Sequence, residues 1–392
     1  MIPDMKTLAG LWFSATTRAM VLALSATLAF TGAAFADKPS AGVPAVSVPA
    51  VRVPLVTGLT LISAASERQG DYESTLTVDA IDADGMLHLT TSADLPDPAG
   101  GKPKPVSFNR DVSAADRGEA RTYKYLFSVG ADEYPGTTAM GTSSAVIADL
   151  RATGKAAITL DGQLGGLGGM LSGLMGMIPG AESTAAPAYL SAAGTVAVVG
   201  SNPESYPMIL NDAPVSLPAW HLKGTFTQND TSVPVEWYLL DDPANALTLR
   251  FAFGKDRLEI TRISYPVDNP ANTLEASLAK ERRAVTYGIY FDFNSATIKP
   301  QSDATLRAIV EVMNKNPEWN LNIEGHTDNI GGDVKNQELS ARRAAAVRAA
   351  LQQRGIADKR LTAAGFGASV PRASNTTLAG RARNRRVELS RQ

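Results

Sequence analysis

Short runs of apolar and β-branched residues, separated by turn residues, make up most of the chain between residues 55 and 270. Runs of this length, in which apolar and polar positions alternate, are typical of β-strands. Asp84-Gly85 predicts a tight turn between two of them. One helix is predicted at 144–152, ending at Gly154. The predicted strands are 57–65, 72–81, 86–93, 121–130, 156–161, 195–200, 219–228, 235–240, 246–254 and 257–265. Residues 55–270 are therefore predicted to form a mainly antiparallel β domain.

The pattern changes from residue 284 onward. Apolar positions three and four residues apart predict two helices, one from Ser302 to Pro317 and one from Ser340 to Gly355. Strands are predicted at 285–293, 321–327, 361–367 and 386–390. This alternation predicts an α/β sandwich, in which helices pack on one sheet, over residues 284–392. The chain is accordingly predicted to be multi-domain.

Three further segments are predicted to lie outside these domains. Lys6 and Arg18 precede a short apolar run that ends in Ala-Phe-Ala at 34–36, the pattern of a secretory signal peptide over residues 1–36. The run is shorter than the ~20 residues that a membrane-spanning helix needs. Frequent prolines make 37–54 an extended tether. A short amphipathic helix at 271–283 is predicted to link the two domains.

The composition of the chain excludes several kinds of functional site. The 392 residues include no cysteine and three histidines, which excludes a disulfide scaffold, a cysteine nucleophile and a thiolate zinc site. Neither a metal nor a cofactor is predicted. Residues 37–280 carry 17 basic and 27 acidic residues, whereas 281–392 carry 18 basic and 11 acidic ones. The basic C-terminal part predicts an anionic or zwitterionic ligand. Its arginine cluster at 381–386 has no interleaved aromatic residues, so nucleic acid is not a predicted partner.

Residues 162–180 form an uncharged segment in which eight of nineteen residues are glycine. One interpretation is a membrane-touching or self-associating hairpin, because glycines four residues apart can line a close-packed helix face. The other is a flexible loop of the β domain, because glycine destabilises a helix by ~1 kcal/mol per position relative to alanine. We favour the loop.

Four strings in the C-terminal part carry a resemblance to a known family. They are YFDFNSATIKP, IEGHTDNIGG, NQELSARRAAAV and GRARNRRVEL, in this order. Together they resemble the OmpA-like (outer-membrane protein A C-terminal) peptidoglycan-binding family, over about residues 284–392. The resemblance implies a βαβαββ fold and non-covalent binding of the peptidoglycan stem peptide at diaminopimelate. Residues 37–280 carry no such resemblance.

The resemblance also implies the residues of the binding site. In the family, the aspartate of the HTD string binds the diaminopimelate ammonium, and here this residue is Asp328. The second arginine of the SxRRA string binds the carboxylate, and here it is Arg343. Four further positions surround the pocket in the family: Asn294, Thr327, Asn336 and Arg386.

The chemistry of the ligand is consistent with this pair of residues. The distal end of diaminopimelate carries one ammonium and one carboxylate on the same carbon. Arginine binds a carboxylate through two parallel hydrogen bonds, which lysine cannot do. We also expect Arg343 to lie in the first turn of a helix capped by Ser340, where unpaired backbone N–H groups favour a carboxylate.

Some of these residues also have simpler interpretations. Asp328 can start the turn through Asn329. Without the family pattern, Arg343 is indistinguishable from a solvated helix charge such as Arg342. His326 shares a strand face with Asp328, but no third metal ligand is apparent in the sequence. We therefore interpret His326 as a packed or hydrogen-bonded histidine.

These observations predict a non-enzymatic cell-envelope protein. It binds peptidoglycan and tethers an envelope component, or its own β domain, to the cell wall. It is predicted to be exported to the periplasm and associated with the outer membrane. Whether the β domain also contacts the outer membrane or other envelope proteins stays open.

Two alternatives remain. One is an outer-membrane β-barrel with a periplasmic wall-binding tail, although aromatic residues are only 6% of the chain and such barrels carry aromatic girdles. The other is an envelope enzyme that uses paired acids of the β domain, although such pairs also occur in turns and no nucleophile–base pattern is present. The pairs are Asp82/Asp84, Asp132/Glu133 and Asp241/Asp242.

Overall fold

The computed structural model describes residues 51–67, 70–97, 101, 103–124, 133–163, 189–228, 230–267 and 269–392. The predicted signal peptide, most of the predicted tether and nearly all of the glycine-rich segment lie outside the described residues. So does the second half of the strand predicted at 121–130. The described residues form a mainly β region followed by a smaller α/β domain.

Thirteen strands of the described residues join one sheet in the first region. They are β1 Thr60–Glu67, β2 Gly70–Ile81, β3 Leu87–Leu95, β4 Lys104–Val112, β5 Thr122–Lys124, β6 Thr137–Thr138, β7 Lys155–Gln163, β8 Tyr189–Val198, β9 Glu204–Leu210, β10 Ala213–Gln228, β11 Thr231–Leu240, β12 Thr248–Phe253 and β13 Asp256–Ser264. Their order is β4-β3-β2-β1-β13-β12-β11-β10-β8-β7-β5-β6, and β9 pairs with both β10 and β13. Two helices accompany the sheet, α1 Ala114–Glu119 and α2 Ser144–Thr153.

The apolar face of this sheet forms the core of the region. In β3, Leu87 and Leu89 are buried because alternate residues of a strand point to the same side. Trp237 is fully buried, and its indole N–H donates to the Thr248 hydroxyl at 3.1 Å. Val53, within the predicted tether, is 1% exposed and therefore packs with this core.

Two of the strands that escaped prediction, β4 and β9, contain proline. Pro105 lies in β4, at the end of the sheet, and Pro207 lies in β9. Proline cannot donate a ladder hydrogen bond, so it lowers the strand character of a sequence, and edge strands such as β4 tolerate it best. The pairing of β9 with β10 and β13 is a long-range contact that local periodicity does not reveal.

The C-terminal domain is an α/β sandwich. Its strands are β14 Arg283–Thr286, β15 Leu321–Gly325, β16 Leu361–Gly365 and β17 Val387–Arg391, in the order β14-β17-β15-β16. Its helices are α4 Asp303–Lys315, α5 Asp333–Gln353 and α6 Leu378–Asn384, preceded by α3 Pro270–Glu281. Short 3-10 turns occupy Pro300–Ser302 and Asp358–Arg360. The core joins both layers, with Ile309, Val347 and Ile323 among its buried residues.

Three local predictions differ from the structure. The strand predicted at 285–293 ends at Thr286, and Phe293, the last residue of the predicted strand, is 71% exposed. Helix α5 begins at Asp333, so Ser340 is a fully buried interior residue and not the cap. The short helix α6 precedes the last strand, where no helix was expected.

No helix of the described residues combines the length and the apolar character needed to cross a membrane.

A polar contact joins the two parts of the described chain. The carboxylate of Asp212, in the β9–β10 turn, accepts hydrogen bonds from the Thr286 hydroxyl at 2.8 Å and the Tyr287 N–H at 3.0 Å. Arg262 of β13 donates to the Tyr287 carbonyl at 2.7 Å and lies over the rings of Tyr287 and Tyr290. Burial raises the pKa of Asp212 despite its hydrogen bonds. We call these residues the buried anchor.

Candidate ligand-binding site

A pair of glycines sets the distance between helix α5 and the sheet. Gly325 and Gly365 face each other on β15 and β16. A Cβ atom on Gly325 would lie 2.3 Å from the Ser340 carbonyl oxygen, and one on Gly365 would lie 2.3 Å from the Ala341 nitrogen. The helix backbone therefore rests directly on the sheet. This close approach places Arg343, on the next part of the helix, at the rim where β15 ends.

Asp328 is the first residue beyond that sheet edge. The backbone N–H groups of His326 and Thr327 still donate to neighbouring segments, at 3.0 and 2.9 Å, and so extend β15. The side chain of Asp328 is 12% exposed. Its Oδ1 accepts the Ile330 N–H at 2.9 Å, and its Oδ2 accepts Nη1 of Arg385 at 2.6 Å. The carboxylate thus supports the turn and also presents a negative charge at the rim.

Arg343 is held at the same rim by contacts from the segment before α4. Its Nε donates to the Ser295 carbonyl at 2.9 Å, and its guanidinium carbon lies 4.9 Å from the centre of the Phe291 ring. Burial and the nearby positive charge of Arg385 lower the pKa of Arg343 to about 10, although Asp328 opposes this shift. The group remains a cation at pH 7. No hydrogen bond of its two Nη groups occurs within the described residues, so these groups are available to a ligand.

Arg343 does not lie where the sequence placed it along its helix. It is in the middle of α5 and not in the first turn. The expectation that unpaired helix N–H groups assist carboxylate binding beside Arg343 is therefore wrong. The hydroxyl of Ser340 instead donates to the Gln337 carbonyl at 2.9 Å and accepts the Gly367 N–H at 2.8 Å.

Three of the other four predicted site residues lie around this pair. Asn336 is buried, and its side-chain amide donates to the Asp328 carbonyl at 3.0 Å. Thr327 is also buried, and its hydroxyl has no hydrogen-bond partner within the described residues. Asn294 is exposed, adopts a φ of +50°, and directly precedes Ser295. Asn336 therefore supports the turn that carries Asp328.

Arg386, the fourth of these residues, is directed away from the pair. It is buried, donates to the Glu388 carboxylate at 2.6 Å and to the Val370 carbonyl at 3.0 Å. Its neighbour Arg385 is the arginine that pairs with Asp328. Both arginines stand side by side in one string, and adjacent residues of an extended chain point in opposite directions. The sequence alone does not show which of the two faces Asp328, and it therefore did not single out Arg385.

A buried ion network lies beneath the site. Glu324, His326 and Glu388 bring potential metal-ligand atoms within 4.8 Å of one another, the one such group in the described residues. Arginines already pair with both carboxylates, and these cations outnumber the acids. The surplus of positive charge disfavours a divalent cation. The arginines are Arg283, Arg372 and Arg386.

The stability of the protein is expected to depend on pH through His326. The ring stacks on Phe366, and neither of its nitrogens has a hydrogen-bond partner within the described residues. Burial, together with the charge of Arg386, lowers the pKa of His326 from 6.5 to about 4. The unfolded chain therefore binds a proton below pH 6.5 while the folded chain does not, so stability falls as the pH falls.

Protonation of His326 in the unfolded chain is expected to lower the free energy of unfolding by about 2 kcal/mol between pH 7 and pH 5. Urea unfolding of the wild type and of His326→Phe, each at both pH values, measures it. The difference in the free energy of unfolding between pH 7 and pH 5 should be smaller in the variant than in the wild type. An equal difference in both proteins would contradict a neutral buried His326.

The paired acids of the alternative enzyme hypothesis occupy turns and ion pairs. Asp84 accepts the Met86 N–H at 3.0 Å, and Asp241 accepts the indole N–H of Trp220 at 2.8 Å. Asp132 lies outside the described residues. A cavity of about 100 Å³ lies within the first sheet, and none of the described paired acids lines it.

The region that contains Asp328 and Arg343 matches a known protein family. The model of the OmpA family matches residues 290–385, which include both Asp328 and Arg343. The chain therefore carries a C-terminal domain of the OmpA family. The resemblance inferred from the four strings is confirmed, as is the combination of a mainly β region with an OmpA-like α/β domain.

Individual relatives match over the same part of the chain. Outer membrane porin F of Pseudomonas fluorescens is 45% identical over 106 residues, which are 27% of this chain and 32% of that protein. Peptidoglycan-binding protein ArfA of Mycobacterium tuberculosis is 38% identical over 125 residues, 32% of this chain and 38% of that protein. The chain thus spans about a third of the length of these curated relatives.

Among solved structures, the peptidoglycan-associated lipoprotein from Burkholderia pseudomallei is 35% identical, with a TM-score of 0.25. The match covers 26% of this chain and 88% of that one.

Proposed function

We propose that the C-terminal domain binds the stem peptide of peptidoglycan at diaminopimelate, without catalysing a reaction. The chain would thereby attach its own β region, or an envelope component bound to it, to the cell wall. Relatives named as a peptidoglycan-binding protein and a peptidoglycan-associated lipoprotein match this domain, and the binding function is drawn from them. Outer membrane porin F, which matches the same domain, supports a location in the cell envelope, at the outer membrane or in the periplasm.

The observation that carries the proposal is a pair of opposite charges at one rim. Asp328 and Arg343 come from different elements, the end of β15 and the middle of α5, and the negative charge of Asp328 favours the cationic form of Arg343. The distal centre of diaminopimelate carries the complementary pair, an ammonium and a carboxylate on one carbon. Asp328 receives the ammonium and Arg343 the carboxylate, each through charge-assisted hydrogen bonds.

The surrounding contacts restrict the orientation of both side chains. Asp328 is fixed by Ile330 and Arg385, and Arg343 is fixed by the Ser295 carbonyl and the Phe291 ring. Side chains fixed before binding lose little rotamer freedom when the ligand arrives. The site is therefore suited to recognising one charged centre with defined geometry.

The test compares two stem peptides that differ at the third residue. Isothermal titration of the full chain with a diaminopimelate-containing muropeptide should give measurable binding. The matching lysine-containing peptide lacks the distal carboxylate and leaves Arg343 unpaired, so it should bind at least about tenfold more weakly. Equal affinity for the two peptides would refute recognition of the distal centre.

A further inference from the structure

A side chain of the β region lies at the proposed ligand site. Glu73 is on β2, in the hairpin formed by β1 and β2. Its Oε1 lies 2.9 Å from Nη2 of Arg385, whose Nη1 donates to Asp328 at 2.6 Å. Arg385 therefore bridges one carboxylate from each part of the molecule.

The charge of Glu73 acts on both arginines of the site. Partial removal from water would raise the pKa of Glu73, but Arg385, Arg262 and Arg343 together lower it below its ordinary value. In return, the negative charge of Glu73 favours the cationic forms of Arg343 and Arg385. The carboxylate of Glu73 thus lies in the field of Arg343, the cation that is proposed to receive the carboxylate of the ligand.

Two more ion pairs with the same polarity cross between the β region and the C-terminal domain. Asp71 pairs with Arg381 at 2.5 Å, and Asp94 pairs with Lys299 at 3.2 Å. In each pair the acid comes from the β region and the base from the C-terminal domain. The opposite net charges of the two parts of the sequence are therefore partly neutralised within the molecule.

We propose that Glu73 is a built-in competitor for the carboxylate of the ligand, so that the β region sets the affinity of the wall-binding site. This inference rests on the proposed function. A ligand carboxylate that binds Arg343 repels the nearby carboxylate of Glu73, which then leaves Arg385 and turns into solvent. The Glu73 side chain is already 39% exposed, so it can leave by rotation of its own bonds.

The buried anchor makes this exchange local. Asp212 and Arg262 bind the backbone and side chains of the segment that begins the C-terminal domain, through hydrogen bonds in which Glu73 takes no part. The two parts of the chain therefore remain joined when Glu73 leaves. Release of one partly exposed ion pair costs little free energy, so a charged ligand can displace it.

The experiment removes the charge of Glu73 and measures peptide affinity in the full chain. Glu73→Gln should bind the diaminopimelate muropeptide about fivefold more tightly than the wild type in isothermal titration. Glu73→Ala should change affinity in the same direction. The matched control is Asp79→Asn, which removes an equal charge from the same strand at an exposed residue bonded to Thr90. Its affinity should equal that of the wild type.

The outcomes of this experiment separate failure of the competitor role of Glu73 from failure of the proposed function. Binding by the wild type, with Glu73→Gln equally tight or weaker, would overturn the competitor role and leave the proposed function standing. An equal gain in Asp79→Asn would show a general charge effect and would also overturn it. If neither the wild type nor any variant binds the muropeptide, the proposed function fails, and the competitor role fails with it.

Discussion

Replacement of Asp328 by alanine is expected to weaken binding of a diaminopimelate muropeptide by about tenfold to a hundredfold. A hydrogen bond to a charged group contributes roughly 1.5–3 kcal/mol, and about 1.4 kcal/mol corresponds to a factor of ten in affinity. Arg343→Ala should have an effect of the same size, because it leaves the carboxylate of the ligand unpaired. Isothermal titration of the full chain measures both variants.

Two matched variants separate this site from a general basic surface. Arg342→Ala removes a neighbouring, exposed arginine of the same helix and should leave affinity unchanged. Arg343→Lys should lose part of the affinity, because the charge remains but the planar fork does not. Wild-type affinity in Asp328→Ala, or an equal loss in Arg342→Ala, would refute the assigned pair.

Replacement of Gly365 by alanine is expected to destabilise the C-terminal domain by about 3 kcal/mol. The new Cβ would lie 2.3 Å from the nitrogen of Ala341 and 2.6 Å from its Cα. These atoms belong to the backbone of α5, so no side-chain rotation relieves the contact, and the helix must move away from β16. Because α5 carries Arg343, the variant should also bind the muropeptide more weakly.

Urea unfolding at pH 7 measures the loss of stability. Gly118→Ala is the control, because Gly118 lies in helix α1 and a Cβ there meets no atom within 4 Å. It should be neutral or slightly stabilising, since alanine favours a helix over glycine. A Gly365→Ala protein as stable as the wild type would show that the helix does not rest on the glycine pair.

The string GRARNRRVEL contains both a residue at the ligand site and a residue of the buried ion network. Arg385 and Arg386 are adjacent, yet one faces Asp328 and the other pairs with Glu388 below the sheet edge. The paired charges hold the pKa of Glu388 at about 2, even though burial alone would raise it. Glu388 therefore stays ionised across the physiological pH range and fixes the strand that positions Arg385.

The sequence by itself determined those features that depend on local pattern. Alternating apolar positions were enough to predict a mainly β region, and the four strings were enough to predict an OmpA-like domain. The same strings named Asp328 and Arg343, which the structure brings to one rim. Local pattern was insufficient for the start of α5, because the true helix begins after Gly332, which has a φ of +89°, while Ser340 resembles a cap by residue type alone.

Only the tertiary structure decided what surrounds the two charged residues. The choice of Arg385 over Arg386 depends on which side of the chain faces the rim, and that direction is set by the pairing of β17 with β15. The approach of Glu73 to Arg385 joins residues on two domains, as does the neighbouring pair of Asp71 and Arg381, 310 positions apart in sequence. Side-chain periodicity reports which face of an element is buried, but it carries no information about the distant segment that covers that face.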